Sequence, residues 1–496
     1  ASALALSACG SGNTSEPAVD DTTPEVIDLR NQITGTSEAE SIPGSTDDDV
    51  INALAGGDFI MSLAGDDEIY GGDGNDTIWA DDGNDLIYGG AGDDTIYPGN
   101  GDDKAYGEEG DDIIYLSSGD DYEDGGPGND TLKIASSHSG IATTIDLLLG
   151  QYYFTAQGSS AFFNLNSIEN IDSYATADLT ILDTPDVNVI TTGGGNDIIK
   201  SLGGDDIIST GEGNDRVELA TGFSYTVATG SGDDEVVLSL TYSDIDGGSG
   251  TDTLTVKELN GISDFYVDLS TGFYFFKGVA TSQDGFDTLI ENFEIITVEG
   301  QVNATLIGGI GVETFTTDGG ADIISGGGGA DVISSGEDAD TVTGGAGNDS
   351  IDLGAADLAA DTVVMSAASD NGTDTITSFE TGVDKVNVAA TGTLVGAIDA
   401  DTAAAAGAIA LAAAKVLVVT DNTAADWSDV AAIMNAAIDT TGVVTGDTVI
   451  AVDNGTDSRI YLYQDDTANA AIEDAELTLL ATLSTTIIAE GDFVVA

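Results

Sequence analysis

The chain has little positive charge. Ten of its 496 residues are Lys or Arg, against 89 Asp or Glu, for a formal net charge of −79. So few cations exclude the basic surface that nucleic-acid phosphates require. They also argue against adsorption to anionic lipid and point to cations as partners. The single cysteine, Cys9, excludes an intrachain disulfide, so an exported chain of this composition needs another brace. The one histidine, His138 in "ASSHSG", reads as an exposed loop residue and excludes a multi-histidine zinc site. There is no G-x-S-x-G nucleophile elbow and no Gly-Lys dipeptide for a P-loop. No apolar run is long enough to span a bilayer; the Ala-rich stretch 403–419 contains Lys415. Length alone suggests roughly three or four domains. A hydrophobic content of 41% is high for a disordered acidic chain.

What is present is a phase. From Gly56 the chain repeats every nine residues, as in "GDDEIYGGD", "GNDTIWADD", "GNDLIYGGA" and "GDDTIYPGN", through the unit that starts at Gly128. Two residues after each start stands an acid: Asp58, Asp67, Asp76, Asp85, Asp94, Asp103, Asp112, Asp121 and Asp130, with Glu40 and Asp49 in weaker copies before them. Four residues after each start comes an apolar slot, filled by Ile60, Ile69, Ile78, Ile87, Ile96, Ala105, Ile114 and Leu132, with Glu123 as the exception. A period of nine fits neither one amphipathic helix nor one flat strand. It fits a stacked solenoid. The unit, rotated in phase, is G-G-x-G-x-D-x-U-x, and the chain resembles the RTX family of calcium-binding nonapeptide repeats.

The physical logic stands beside the resemblance. Each x-U-x triplet is a very short strand with its middle side chain inward, and the glycine-rich remainder is a turn. Two units make one coil, so Ile60, Ile78, Ile96 and Ile114 stack along one sheet and Ile51, Ile69 and Ile87 along the other. The aspartates then form a row on each edge. Carboxylates about 4.8 Å apart repel by ~3.5 kcal/mol at an effective dielectric of about 20, and by ~0.9 in bulk water. A thin core cannot easily outweigh that, whereas a hard cation between turns reverses its sign. In the RTX family the aspartates and turn carbonyls are the calcium ligands. Carried over slot by slot, the resemblance implies calcium at Asp49 through Asp130, at Asp197, Asp206, Asp215, Asp234 and Asp252 in a second block, and at Asp322, Asp331, Asp340 and Asp349 in a third. Leu179 and Asn188 replace aspartate in weaker rungs, and Glu313 holds the slot before Asp322 by one repeat.

The expected fold class is all-β: parallel β-roll blocks at 37–132, 176–254 and 301–356, interrupted by small β cassettes at 133–175 and 255–300, with a mixed α+β domain at 357–496. The cassettes share an I/V-D-L-x-x-G turn, an aromatic strand and a closing I-E-N, and are expected to lie against the solenoid with their aromatics covering its core. In the last region "DTITSFETGVDKVNV" reads as strand–turn–strand, 424–438 as a helix, and Asn454-Gly455 as a hairpin turn. The stretch 465–476 resembles an EF-hand loop, which implies Asp465, Asn469 and Glu476 as further calcium ligands, although Thr467 and Ala470 depart from the pattern. Leu6-Ser7-Ala8-Cys9 resembles a lipoprotein lipobox within a segment 1–9, followed by a flexible tether at 10–36; it implies lipidation of Cys9 and an outer-membrane lipid anchor. The ending "EGDFVVA" is similar to type I secretion substrates, a different export route.

These readings lead to a non-enzymatic, calcium-dependent extracellular or cell-surface protein with a structural, surface-layer-like or adhesive role. Self-assembly or cell-surface polysaccharide is its expected contact, and nucleic acid is not. The alternative is an RTX-borne enzyme acting on surface polysaccharide.

Overall fold

A computed structural model of the protein describes residues 30–354 apart from 136–142, 155–162, 240–242, 258–261 and 278–287. Further on it describes 359–365, 374–378, 384–388 and short strands up to 495. Cys9, His138 and the expected calcium loop at 465–476 lie outside the described residues, as does the expected helix apart from Ile438, which begins the strand Ile438–Asp439.

In the first block each triplet forms a strand in which only the middle residue is buried, as in Thr77–Trp79, Thr95–Tyr97 and Ile113–Tyr115. The neighbours of a strand are the strands one coil before and after it, in parallel. Ile60 pairs with Ile78, Ile78 with Ile96, and Ile96 with Ile114. Ile51 pairs with Ile69 and Ile69 with Ile87 in the second sheet. All of these isoleucines are fully buried. The core is therefore two facing rows of single side chains, and each contributes ~1.5–3 kcal/mol on burial.

A left-handed slot in most turns stands four residues before the buried carboxyl. Gly72 (φ 107°), Gly90 (φ 120°) and Gly99 (φ 110°) occupy it. A Cβ on Gly90 would collide with the Gly72 carbonyl of the preceding coil. Leu54 (φ 79°), Leu63 (φ 86°) and Glu108 (φ 77°) take the same slot at a conformational cost. On the outer faces, aromatic residues stack in register: Trp79 on Tyr97 and Tyr97 on Tyr115 at 4.1 Å, Tyr70 on Tyr88 and Tyr88 on Tyr106 at 5.1 Å.

The cassettes do not lie against the solenoid; they supply strands to its sheets. In the first, Thr143–Asp146 and Gln151–Phe154 form an antiparallel hairpin. Its first strand runs parallel to Leu179–Leu182, and the strand Phe163–Asn166 runs parallel to Tyr122–Asp124. In the second, Asp264–Asp268 pairs with Phe273–Lys277 in a hairpin and with Asn303–Ile307 in parallel, which opens a new sheet where the earlier one ends at Ile290–Glu291. The expectation that the aromatics cover the core holds for Tyr152, Phe163, Phe265, Tyr274 and Phe276, all buried, while Phe273 and Phe275 alternate outward.

Beyond the third block the described residues continue the solenoid. Asp374–Thr377 and Lys385–Val388 are not a hairpin. They add one strand to each of the two sheets, parallel to Ser350–Asp352 and Thr362–Met365. Leu477–Leu483 and Phe493–Val495 pair with them in parallel. Thr448–Asp453 and Ser458–Tyr463 pair antiparallel around the expected hairpin turn.

Candidate metal centre

The repeat places one carboxyl at the start of nearly every strand, and that carboxyl is buried. Asp49, Asp58, Asp67, Asp76, Asp85, Asp94, Asp103, Asp112, Asp121 and Asp130 are all at most 3% exposed. So are Asp197, Asp206, Asp215, Asp234 and Asp252 of the second block and Asp322, Asp331, Asp340 and Asp349 of the third. The acids just before them, such as Asp66, Asp93 and Asp111, are exposed. Acidic-loop solvation therefore accounts for the first acid of each pair and not for the second.

The two oxygens of each buried carboxyl differ. Oδ1 accepts a backbone N–H from the equivalent residue one coil earlier. Asp49 N–H donates to Asp67 Oδ1 at 2.8 Å, Asp58 to Asp76 at 2.7 Å, Asp76 to Asp94 at 2.7 Å and Asp94 to Asp112 at 2.7 Å. The same bond recurs from Asp197 to Asp215 and from Asp331 to Asp349. Oδ2 is buried and without a hydrogen-bond partner in Asp58, Asp76, Asp85, Asp94, Asp103, Asp112 and Asp130, and likewise in Asp252, Asp331 and Asp349. Beside Asp67, Asp197, Asp215, Asp234, Asp322 and Asp340 lie the hydroxyls of Ser62, Thr192, Thr210, Thr229, Thr317 and Ser335, which pull those carboxyls down against the effect of burial. A row of buried, unpartnered carboxylate oxygens is costly and calls for a positive partner. Asp49, Asp121 and Asp206 differ, because Oδ2 accepts from Ser45 N–H, Ser117 and Ser201 respectively.

Each such carboxyl faces the residue five positions earlier, at the mouth of its turn. Where that residue is glycine the space is a cradle. The point a Cβ would occupy on Gly71 lies 2.5 Å from Asp76 Oδ2 and closer still to the carbonyl oxygen of Gly89 on the next coil. The point on Gly89 lies 2.7 Å from the Gly107 carbonyl, and the point on Gly107 2.5 Å from that of Gly125, with Asp94 and Asp112 Oδ2 nearer. Gly326 repeats the arrangement with Asp331 Oδ2 and the Gly344 carbonyl. Both oxygens approach the glycine so closely that a Cβ there would collide with them, and calcium accepts carboxylates and carbonyls alike. The residues fit a calcium ion: a carboxylate oxygen with nothing else to bind, a carbonyl from the next coil, and no side chain in the way. Among the described residues no three His, Cys, Asp or Glu converge on one point, so the remaining donors in such a place are backbone carbonyls.

Burial dominates the titration of these groups. It pushes Asp85 and Asp94 up to about 8, Asp130 to about 7, and Asp76, Asp103 and Asp112 to about 6, against the N–H bonds to Oδ1 that pull the other way. Burial likewise raises Asp197 and Asp322 to about 7 and Asp340 to about 8.

Several ladder members do not stand out in the sequence. Asp340 N–H donates to Asp361, Asp349 to Asp374 and Asp361 to Asp384, at 2.9, 3.1 and 3.0 Å. Glu169 and Glu294 close the cassettes by accepting from Asp130 and Asp252 N–H at 2.8 and 2.9 Å. Glu123, the exception among the apolar slots, is fully buried between Ala105 and Leu165 and accepts from the Tyr152 hydroxyl at 3.3 Å; burial holds its carboxyl well above the usual range.

The family model described as the RTX calcium-binding nonapeptide repeat matches residues 34–69, 62–96, 70–105, 97–132, 184–217, 307–342 and 334–357. No curated protein matches the chain.

Proposed function

The chain belongs to the RTX calcium-binding nonapeptide repeat family, and from that premise we propose that it is a structural or adhesive protein of the cell exterior whose solenoid closes when calcium is supplied. The observation that carries this reading is the row of buried Oδ2 atoms without partners, each brought together with the next coil's carbonyl over a glycine that has no side chain between them. Calcium supplies the positive charge that these oxygens lack. The chain's own part is to hold each carboxyl by an N–H bond to Oδ1, so that Oδ2 is aimed before any ion arrives. Extracellular calcium modules work at about 10⁻⁴–10⁻³ M. A chain tuned to that range is expanded inside the cell and coils outside it, with binding free energy serving as folding free energy.

A role in scaffolding or adhesion, rather than catalysis, suits a molecule most of whose buried acids belong to the ladder. Self-assembly and surface polysaccharide are the contacts we infer. Cys9 is the proposed lipid attachment, and Asp465, Asn469 and Glu476 a proposed further calcium loop. The test is circular dichroism and small-angle scattering of the whole chain in EDTA and then in millimolar calcium chloride. The expected result is a gain of β signal with a fall in radius. Unchanged β content and radius would count against the reading.

A further inference from the structure

The slot five residues before each buried carboxyl is the same backbone position in every coil, whatever residue fills it. Its N–H donates to a carbonyl on the next coil: Gly44 to Met61, Ser62 to Trp79, Thr192 to Ser209, Thr229 to Asp246 and Ser335 to Asp352, all at 2.8–3.0 Å. On the edge that carries Asp76, Asp94, Asp112 and Asp130 the slot holds Gly71, Gly89, Gly107 and Gly125. In the third block Gly308, Gly326 and Gly344 serve Glu313, Asp331 and Asp349. In the second block the slot changes to Thr192, Thr210 and Thr229, serving Asp197, Asp215 and Asp234.

The threonines are fully buried or nearly so, and their hydroxyls occupy the cradle. Thr192 Oγ1 donates to the Thr210 carbonyl at 2.7 Å, Thr210 Oγ1 to Thr229 at 2.8 Å, and Thr229 Oγ1 to Gly247 at 2.7 Å. These carbonyls are the equivalents of those that face the open cradles of Gly71 and Gly89. The hydroxyl thus takes up both the space and the carbonyl that a cation would use. Thr317, serving Asp322, repeats the bond to the Ser335 carbonyl at 2.7 Å.

The other edge of the second block makes the same change by a different route. Its ladder positions after Asp206 carry no acid: Tyr225 N–H donates to the Ser243 hydroxyl at 3.1 Å, and Ser243 N–H to the Tyr274 hydroxyl at 2.8 Å. Before Asp206, Asn188 holds the position, and its Nδ2 donates to the Glu169 carbonyl at 2.5 Å. Asp206 itself receives the Ser201 hydroxyl on Oδ2.

We propose that the solenoid has two kinds of rung: glycine-backed carboxyls that take calcium, and hydroxyl-backed rungs that close without it, so that the second block is a calcium-independent centre between calcium-dependent ends. Ser62, serving Asp67 in the first block, makes the same bond to the Ala80 carbonyl at 2.9 Å. The proposal rests on the calcium reading above and narrows it, removing Asp67, Asp197, Asp206, Asp215, Asp234 and Asp322 from the ligand set.

The test uses the whole chain and hydrogen exchange read by mass spectrometry, in EDTA and in saturating calcium chloride. Peptides covering 65–132 are expected to gain protection roughly a hundredfold with calcium, the linkage effect of a ligand at about a hundred times its Kd. Peptides covering 192–238 are expected to change less than about twofold. Equal gains in both regions overturn the proposal and leave the calcium reading standing. No gain in either region, with no calcium binding by titration calorimetry, overturns the calcium reading and the proposal with it. A second measurement is calcium stoichiometry of Thr210→Gly, which reopens one cradle. One additional ion per chain is expected, and an unchanged count in a folded variant overturns the assignment.

Discussion

Replacing Asp94 with asparagine separates the two tasks of a ladder carboxyl, because Asn Oδ1 still accepts the Asp76 N–H now bonded at 2.7 Å while the unpartnered Oδ2 disappears. Burial holds Asp94 at about 8 against an ordinary value of 3.8. At a pH of about 7.5, folding the metal-free chain must therefore either protonate this group or bury its charge. That costs up to ~5 kcal/mol, at ~1.36 per pH unit above the unfolded value. Asp94→Asn removes the cost. Its new amide has a precedent in the chain, since Asn188 Nδ2 donates to a neighbouring coil's carbonyl. In EDTA the variant is expected to be more stable by ~1–5 kcal/mol, the lower figure allowing for imperfect pairing of the amide. In calcium that advantage shrinks. For Kd values of about 10⁻⁴–10⁻³ M, about 10 mM calcium stabilises by ~1.4–2.7 kcal/mol per site, and the variant forfeits that gain where Asp94 is a ligand. Urea unfolding followed by circular dichroism in both buffers measures the two effects. Destabilisation in EDTA, or an undiminished calcium increment, would refute the assignment of Oδ2 to a cation.

Two further outcomes follow from the same geometry. The folded-state values of Asp85 and Asp94, about 8, lie above the unfolded 3.8, so the folded chain binds more protons between those limits. Metal-free stability is therefore expected to rise as pH falls from about 8 towards 4. In the same window calcium affinity falls as protons compete for the carboxylates; urea midpoints in EDTA and calcium titrations at pH values of about 8.5 and 5.5 check both, and a midpoint that drops on mild acidification contradicts the shifts. Leu54→Gly relieves a left-handed residue whose side chain is 45% exposed, and is expected to raise stability by ~1 kcal/mol with or without calcium, read as an equal shift of the melting temperature in both buffers.

The parts of this fold that were legible in the sequence are those that keep strict phase. Ile60, Ile78 and Ile96 had to share a face, and the acid two residues before each had to line an edge, because a constant period admits only one stacking. Asp361, Asp374 and Asp384 escaped that reading for the same reason: their ladder bonds span 21, 25 and 23 residues instead of 18. Glu169 and Glu294 were hidden further still, by bonds spanning 39 and 42 residues across the cassettes. A hydrogen bond to Oδ1 tolerates any length of outward loop provided the next strand returns in register, so loop length erases the sequence signal without erasing the rung. The cassettes misled in a second way. Their alternating aromatics read as a cover, and Tyr152 and Tyr274 are indeed buried, but within strands that belong to the sheets themselves.

The division between Gly71 and Thr192 was also visible in the sequence, yet it carried no meaning until the two were seen to occupy one backbone position facing one carbonyl. A solenoid repeats its backbone far more strictly than its side chains, so a chemical difference at a single slot propagates along a whole edge. Acid ladders alone would bring into every coil the repulsion of neighbouring carboxylates, several times ~1–3 kcal/mol along each edge, and nothing would hold the chain together until every ion arrived. Interleaving neutral hydroxyl bonds, as at Tyr225–Ser243 and Thr192–Thr210, keeps that repulsion local. On this reasoning the unit that responds to calcium is a block rather than a coil. Calcium titrations of the whole chain should then show one transition in the signals of residues 65–132 while the 192–238 region stays constant throughout.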